Sequence, residues 1–184
     1  MYFSKEKFAS FTEPSWWTEV AHVFTGALTA LVTPFRDSGG GVDFDALGRL
    51  VDFQIREGIH GLVPCGTTGE SATLSHEEHR DVIKFVVERA AGRVPVLAGA
   101  GSNNTVESVG LAKYAEEVGA SGVLVVVPYY NKPTPAGQLA HFRAVAAAVK
   151  IPLVLYNIPG RSGINMSPKT VIELSRTSNI TGIK

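Results

Sequence analysis

Residues 122–131 read Gly-Val-Leu-Val-Val-Val-Pro-Tyr-Tyr-Asn: an unbroken apolar run that ends on a proline, two phenols and an amide. A short run with no polar alternation describes a strand buried on both faces, and such strands belong to parallel sheets. Five more runs of the same character flank it, at 26–32, 61–65, 95–100, 152–157 and 180–184. Their central residues Leu31, Val63, Val96, Val125, Val154 and Ile183 fall 29 to 33 positions apart, one strand-helix unit each. Segments two units apart also look alike, Gly-Ile-His-Gly-Leu-Val at 58–63 and Gly-Ala-Ser-Gly-Val-Leu at 119–124, a weak internal repeat.

The stretches between these runs carry helix-start signals. Ser75-His76-Glu77-Glu78 has the form of a capping box and Asn104-Thr105-Val106-Glu107 is a looser version. Thr134-Pro135 and Ser167-Pro168 place proline at the first helical position. The pattern predicts an α/β protein, a parallel (β/α)8 TIM barrel truncated after its sixth strand, because a complete barrel takes about 250 residues. An open doubly wound sheet is the competing fold. Its phosphate fingerprint is missing, since Gly99-Ala100-Gly101-Ser102-Asn103-Asn104 lacks the third glycine. The expected organisation is an N-terminal extension over 1–24, holding Trp16 and Trp17, followed by six strand-helix units over 25–184.

Composition narrows the function. Of 184 residues, 17 are basic and 17 acidic, so the formal net charge is zero, and no block of like charge occurs. That balance argues against a nucleic-acid or anionic-membrane partner. No apolar stretch approaches the roughly 18 to 20 residues that a spanning helix needs. A single cysteine, Cys65, suits a reducing compartment, and the expected location is the cytoplasm. Without a recognisable base beside it, Cys65 reads as a small buried hydrophobe. The run His76-Glu77-Glu78-His79 spaces its histidines by three rather than four and opens a helix, which argues against a metal site.

In a barrel of this class the chemistry sits at the C-terminal ends of the strands. Those ends carry Gly66-Thr67-Thr68-Gly69-Glu70-Ser71, Pro128-Tyr129-Tyr130-Asn131, Tyr156-Asn157 with Arg161, and Lys184. A lysine that closes an apolar strand is poorly solvated as a cation, and a neutral amine attacks carbonyls. Paired threonines between glycines can offer amides and hydroxyls to a carboxylate.

Taken together, four ordered motifs resemble those of the 4-hydroxy-tetrahydrodipicolinate (dihydrodipicolinate) synthase family, class I pyruvate aldolases, from about Phe24 to Lys184. They are 66–71, Pro128-Tyr129-Tyr130-Asn131-Lys132-Pro133, Tyr156-Asn157-Ile158-Pro159-Gly160-Arg161-Ser162-Gly163, and Gly182-Ile183-Lys184. The resemblance implies that Lys184 forms a Schiff base with pyruvate and that the derived enamine attacks L-aspartate 4-semialdehyde, with no cofactor and no metal. Tyr156, Thr67 and Tyr130 match the proton relay, Tyr130 coming from the neighbouring subunit. Thr67 and Thr68 would hold the pyruvate carboxylate, and Arg161 that of the semialdehyde. A homo-oligomer follows, a dimer of dimers at full length.

Ser71, Ala72, His76, His79, Asn103, Glu107 and Tyr129 match positions where lysine-inhibited members bind L-lysine. Another pyruvate-dependent aldolase, a sialic acid or keto-deoxy-sugar acid lyase, is the alternative that the resemblance leaves. Sialic acid lyases share the lysine, the tyrosine and a similar threonine turn but usually lack an arginine at the position of Arg161, which leans to the synthases. An inactive truncated fragment is the remaining alternative.

Overall fold

The structure, a computed structural model, describes residues 24–37 and 40–184. The expected extension therefore lies outside the described residues, apart from Phe24, which is buried inside the sheet's concave face.

Among the described residues, six short strands lie in chain order: β1 (Leu28–Ala30), β2 (Gly61–Val63), β3 (Leu97–Gly99), β4 (Gly122–Val126), β5 (Leu153–Tyr156) and β6 (Ile180–Ile183). β1 pairs with β2, and β3 through β6 pair successively, every ladder parallel. A parallel bridge between Leu62 and Val96 joins the two groups, supported by the Leu62 amide on Pro95 O at 3.0 Å and the Gly99 amide on Pro64 O at 2.9 Å. Spatial order therefore equals sequence order, with none of the reversal that defines a doubly wound sheet.

Among the described residues, six helices lie between the strands: α1 (Phe44–Arg56), α2 (His76–Ala90), α3 (Thr105–Glu117), α4 (Pro135–Ala147), α5 (Pro159–Ser162) and α6 (Pro168–Leu174). The capping box before α2 is reciprocal. The Glu78 amide donates to Ser75 Oγ at 3.2 Å, and the Ser75 amide donates to Glu78 Oε2 at 2.9 Å. Asn104, Thr134 and Ser167 cap α3, α4 and α6 through their side chains, with Pro135 and Pro168 in the first turn of their helices. Asp43 caps α1, accepting from the Ala46 amide at 2.8 Å.

The alternation of side chains along each strand builds two cores. Leu62, Ala98, Val123, Val125, Leu153 and Leu155 face the helices and pack with Val51, Ile83, Phe142 and Leu174. Val63, Leu97, Leu124, Val154 and Tyr156 face the other way and enclose Phe24. Each fully buried Leu or Val contributes about 1.5–3 kcal/mol relative to exposure, so both layers stabilise the sheet. Tyr156 is the member of the inner layer nearest the C-terminal rim.

Candidate active site

Parallel pairing sends every strand's C-terminal end to one rim, and the predicted residues gather there. The Gly66–Ser71 turn leaves β2 and folds onto itself, with the Gly69 amide on Gly66 O at 3.1 Å and the Glu70 amide on Thr67 O at 3.2 Å. Thr33 Oγ1 donates to Gly69 O at 2.7 Å and pins the turn to the end of β1. Among the described residues, the Thr67 and Thr68 amides donate to no carbonyl, and both threonines are exposed on the rim. Gly99 permits this packing, because a Cβ there would collide with the carbonyl oxygen of Cys65.

Tyr156 is buried, and its hydroxyl lies 3.4 Å from Thr67 Oγ1. Thr67, Gly66, Ser71, Gly99 and Tyr156 border a small recess of about 30 Å³. Lys184 joins them from β6. Its amide donates to Leu155 O at 2.8 Å and its carbonyl accepts from the Asn157 amide at 2.9 Å, continuing the β5–β6 ladder. Its Nζ stands 4.6 Å from the centroid of the Tyr156 ring.

That placement depends on an irregularity that the apolar pattern did not reveal. Leu153 opposes Ile180, but Val154 opposes Gly182, so Thr181 is an extra residue bulged out of β6. A one-residue slip exchanges the faces of everything beyond it. Ile180 faces the helices with Leu153, whereas Gly182 and then Lys184 fall in register with the inward residues Val154 and Tyr156. Lys184 itself is exposed, as is Ile183. The poor solvation expected of this lysine is therefore not supplied by the described residues, because no further strand covers the outer side of β6 among them.

The remaining residues divide into two groups. His76 Nε2 lies 3.0 Å from Glu107 Oε1, and Ser102 Oγ bonds the other oxygen of Glu107. Asn131 Nδ2 donates to Asn103 O at 3.0 Å, which ties the loop after β4 to the loop after β3. Ser71 is half-buried and Ala72 exposed on the adjoining turn, and Tyr129 is half-buried. His79 is buried away from this cluster's surface, with its Nε2–H directed at Gly99 O 2.7 Å away. Burial holds its pKa below the ordinary imidazole range.

Tyr130 and Arg161 stand apart from the recess. Tyr130 is 88% exposed, and Arg161 is exposed on α5. Cys65 is buried beside the turn, and burial pushes its thiol up to about 12, so it is neither nucleophile nor relay. Ser102 and Asn131, which organise the second cluster, were not singled out from sequence for those contacts. Their partners are set by loop packing rather than by spacing.

The sequential parallel strands agree with the fold of known proteins. The model of the Dihydrodipicolinate synthetase family matches residues 23–184. The chain belongs to this family. A 4-hydroxy-tetrahydrodipicolinate synthase from Magnetococcus marinus is 61% identical over 162 residues, 88% of this chain and 55% of that protein.

Among solved structures, the dihydrodipicolinate synthase of Cyanidioschyzon merolae with lysine bound superposes with a TM-score of 0.86 at 44% identity, over 89% of this chain and 56% of that one. The chloride-inhibited dihydrodipicolinate synthase of Acinetobacter baumannii complexed with pyruvate gives 0.84 at 47% identity, over 86% and 54%. The fold is accordingly that of the dihydrodipicolinate synthase TIM barrels. This chain spans about half the length of the relatives it matches.

Proposed function

We propose that this chain carries the imine-forming centre of a 4-hydroxy-tetrahydrodipicolinate synthase, a lyase that condenses pyruvate with L-aspartate 4-semialdehyde in the diaminopimelate route to lysine. The observation that carries the reading is the alignment of Lys184 Nζ over Tyr156, whose hydroxyl meets Thr67 Oγ1 at 3.4 Å. An amine, a phenol and a hydroxyl in line provide a nucleophile and a path for the protons that its chemistry must move.

In this mechanism Lys184 Nζ attacks the ketone carbon of pyruvate. The resulting carbinolamine loses its hydroxyl as water, protonated through Tyr156 and Thr67, and leaves the imine. A methyl proton then passes to the Tyr156 oxygen, which had given up its own to the leaving hydroxyl, and the C–H electrons form the enamine. The enamine carbon attacks the aldehyde carbon of the semialdehyde, forming the new C–C bond. The amino group of that substrate displaces Lys184 as the ring closes and regenerates the free lysine. The iminium is itself the electron sink, so the sequence of steps calls for no cofactor.

Binding follows from the same rim. The unengaged Thr67 and Thr68 amides, with their hydroxyls, receive the pyruvate carboxylate. The Arg161 guanidinium, a planar fork suited to a carboxylate, receives that of the semialdehyde. Tyr130, which is exposed in its own subunit, completes the relay in a neighbouring copy, so the active unit is at least a dimer and, at the length of the relatives, a dimer of dimers.

L-lysine is the proposed effector. The reading is supported by the lysine-bound relative and by the surface pairing of His76 with Glu107, beside which Ser71, Ala72, Asn103 and Tyr129 are proposed to complete the site, while His79 is buried and turned to Gly99 O. Among the described residues no helix is long and apolar enough to cross a membrane, and with one free cysteine the proposed location is the cytoplasm.

The test is hydrogen exchange at the methyl group of pyruvate, followed by NMR in heavy water. Exchange is expected with the parent chain, lost in Lys184→Ala, and slowed by millimolar L-lysine. Exchange no faster than the Lys184→Ala background contradicts the imine mechanism, and exchange indifferent to L-lysine contradicts the effector assignment.

A further inference from the structure

We infer that Asn131 is a positioning residue for Tyr130: its side-chain bond to the Asn103 carbonyl sets the loop over 128–133 as a rigid arm that presents the phenol outside its own subunit. The inference rests on the proposed entry of Tyr130 into a neighbouring copy of this chain.

Four observations converge on the loop. Tyr130 has a φ of +68° and Lys132 one of +46°, a left-handed backbone that side-chain-bearing residues adopt only where their surroundings hold it. Tyr130 is 88% exposed, so burial of its side chain in its own subunit does not reward the strained backbone. The arm is nevertheless attached on both sides. Asn131 Nδ2 donates to Asn103 O at 3.0 Å, and the Tyr130 amide donates to Ser162 O at 3.4 Å. A local bond from the Asn131 amide to Tyr129 O at 2.8 Å closes the turn between these attachments.

The Asn103 anchor is itself fixed. The next amide, that of Asn104, donates to the buried Ser102 Oγ at 3.0 Å, and Asn104 caps α3. Asn131 thus braces the arm against the start of a helix, whereas its exposed side chain adds nothing to either core. A strained, exposed aromatic on a braced loop is the geometry of a group aimed at something beyond the chain, where an error near 1 Å costs about 100-fold in rate.

The experiment is a double-mutant cycle on the whole chain, reading the rate of borohydride-trapped pyruvate imine and the thermal midpoint of each variant. Tyr130→Phe is expected to slow imine formation about 100-fold, the usual scale for a lost proton-transfer group. Asn131→Ala is expected to slow it roughly tenfold by misplacement, with the midpoint and pyruvate saturation unmoved. Asn131→Asp keeps the shape but removes the donor, and should match Asn131→Ala. In the Tyr130→Phe background Asn131→Ala should have no further effect, because it acts through the missing hydroxyl.

Multiplying rate losses, or a parent-like rate in Asn131→Ala beside a slow Tyr130→Phe, overturns the role of Asn131 and leaves that of Tyr130 standing. A parent-like rate in Tyr130→Phe removes Tyr130 from the relay and the inference with it.

Discussion

At the scale of single residues, the account turns on which groups at the rim can exchange protons and which only hold position. Tyr156 is buried with one hydroxyl neighbour, Thr67, and Lys184 lies above its ring rather than beside its oxygen. The phenol can therefore serve substrate atoms bound between the amine and the threonine. Arg161 has a separate proposed duty, carboxylate recognition in the second half-reaction, which would divide its effect from that of Lys184. Arg161→Ala is expected to leave pyruvate-imine formation at its parent rate while slowing semialdehyde consumption roughly tenfold to 100-fold, the range for a lost charge-assisted bond of about 1.5–3 kcal/mol. Coupled kinetics of the two half-reactions check it. Equal loss in both would place Arg161 in the pyruvate site instead, and no loss in either would reopen the sugar-acid lyase reading.

Much of this chemistry was legible because it sits in contiguous motifs at strand ends. What was not legible depends on burial or on distant contacts. The His76-Glu77-Glu78-His79 run gives no hint that His79 turns inward to Gly99 O while His76 meets Glu107 at the surface. The exposure of Lys184 likewise follows from the absence of a covering strand among the described residues, not from its neighbours in sequence.

At the scale of elements, local signals were read well and register was not. The caps at Ser75, Asn104, Thr134 and Ser167 are one-turn phenomena, fixed by side chains within three residues of the amides they bind. Asp43 obeys the same physics but follows a polar, glycine-rich stretch that draws attention away from it. The four-residue α5 is too short for any periodic pattern to appear. The Thr181 bulge is a property of two strands at once, so β6 alone does not disclose it.

That bulge nevertheless decides whether Lys184 faces the inner layer. An alanine inserted between Gly182 and Ile183 shifts the final residue by one position and turns the lysine toward the helix side. The expected outcome is loss of the pyruvate adduct in a protein whose circular dichroism matches the parent. An unchanged adduct yield would show that the register of β6 does not orient the amine.

At the scale of the molecule, two nested cores explain how a sheet this incomplete still defines a site. The helix-facing layer joins the sheet to α1 through α4 and α6, and the inner layer closes around Phe24 below Tyr156. Among the described residues β1 pairs only with β2 and β6 only with β5, so two edges of the sheet carry unpaired backbone groups. The regular spacing of the apolar runs made the sequential parallel order legible, since each unit repeats the same strand-helix step. The curvature that sets the inner face apart from the outer could not be read the same way, because both faces are equally apolar.

What decides the proposed function is whether the Lys184 amine bonds to pyruvate. Incubation with pyruvate and borohydride, followed by intact mass and peptide mapping, tests it most directly. The account predicts one reduced pyruvate adduct per chain, located on Lys184 and absent from Lys184→Ala. A folded, unaggregated protein that gains no adduct, or gains it on another lysine, would contradict the proposed function.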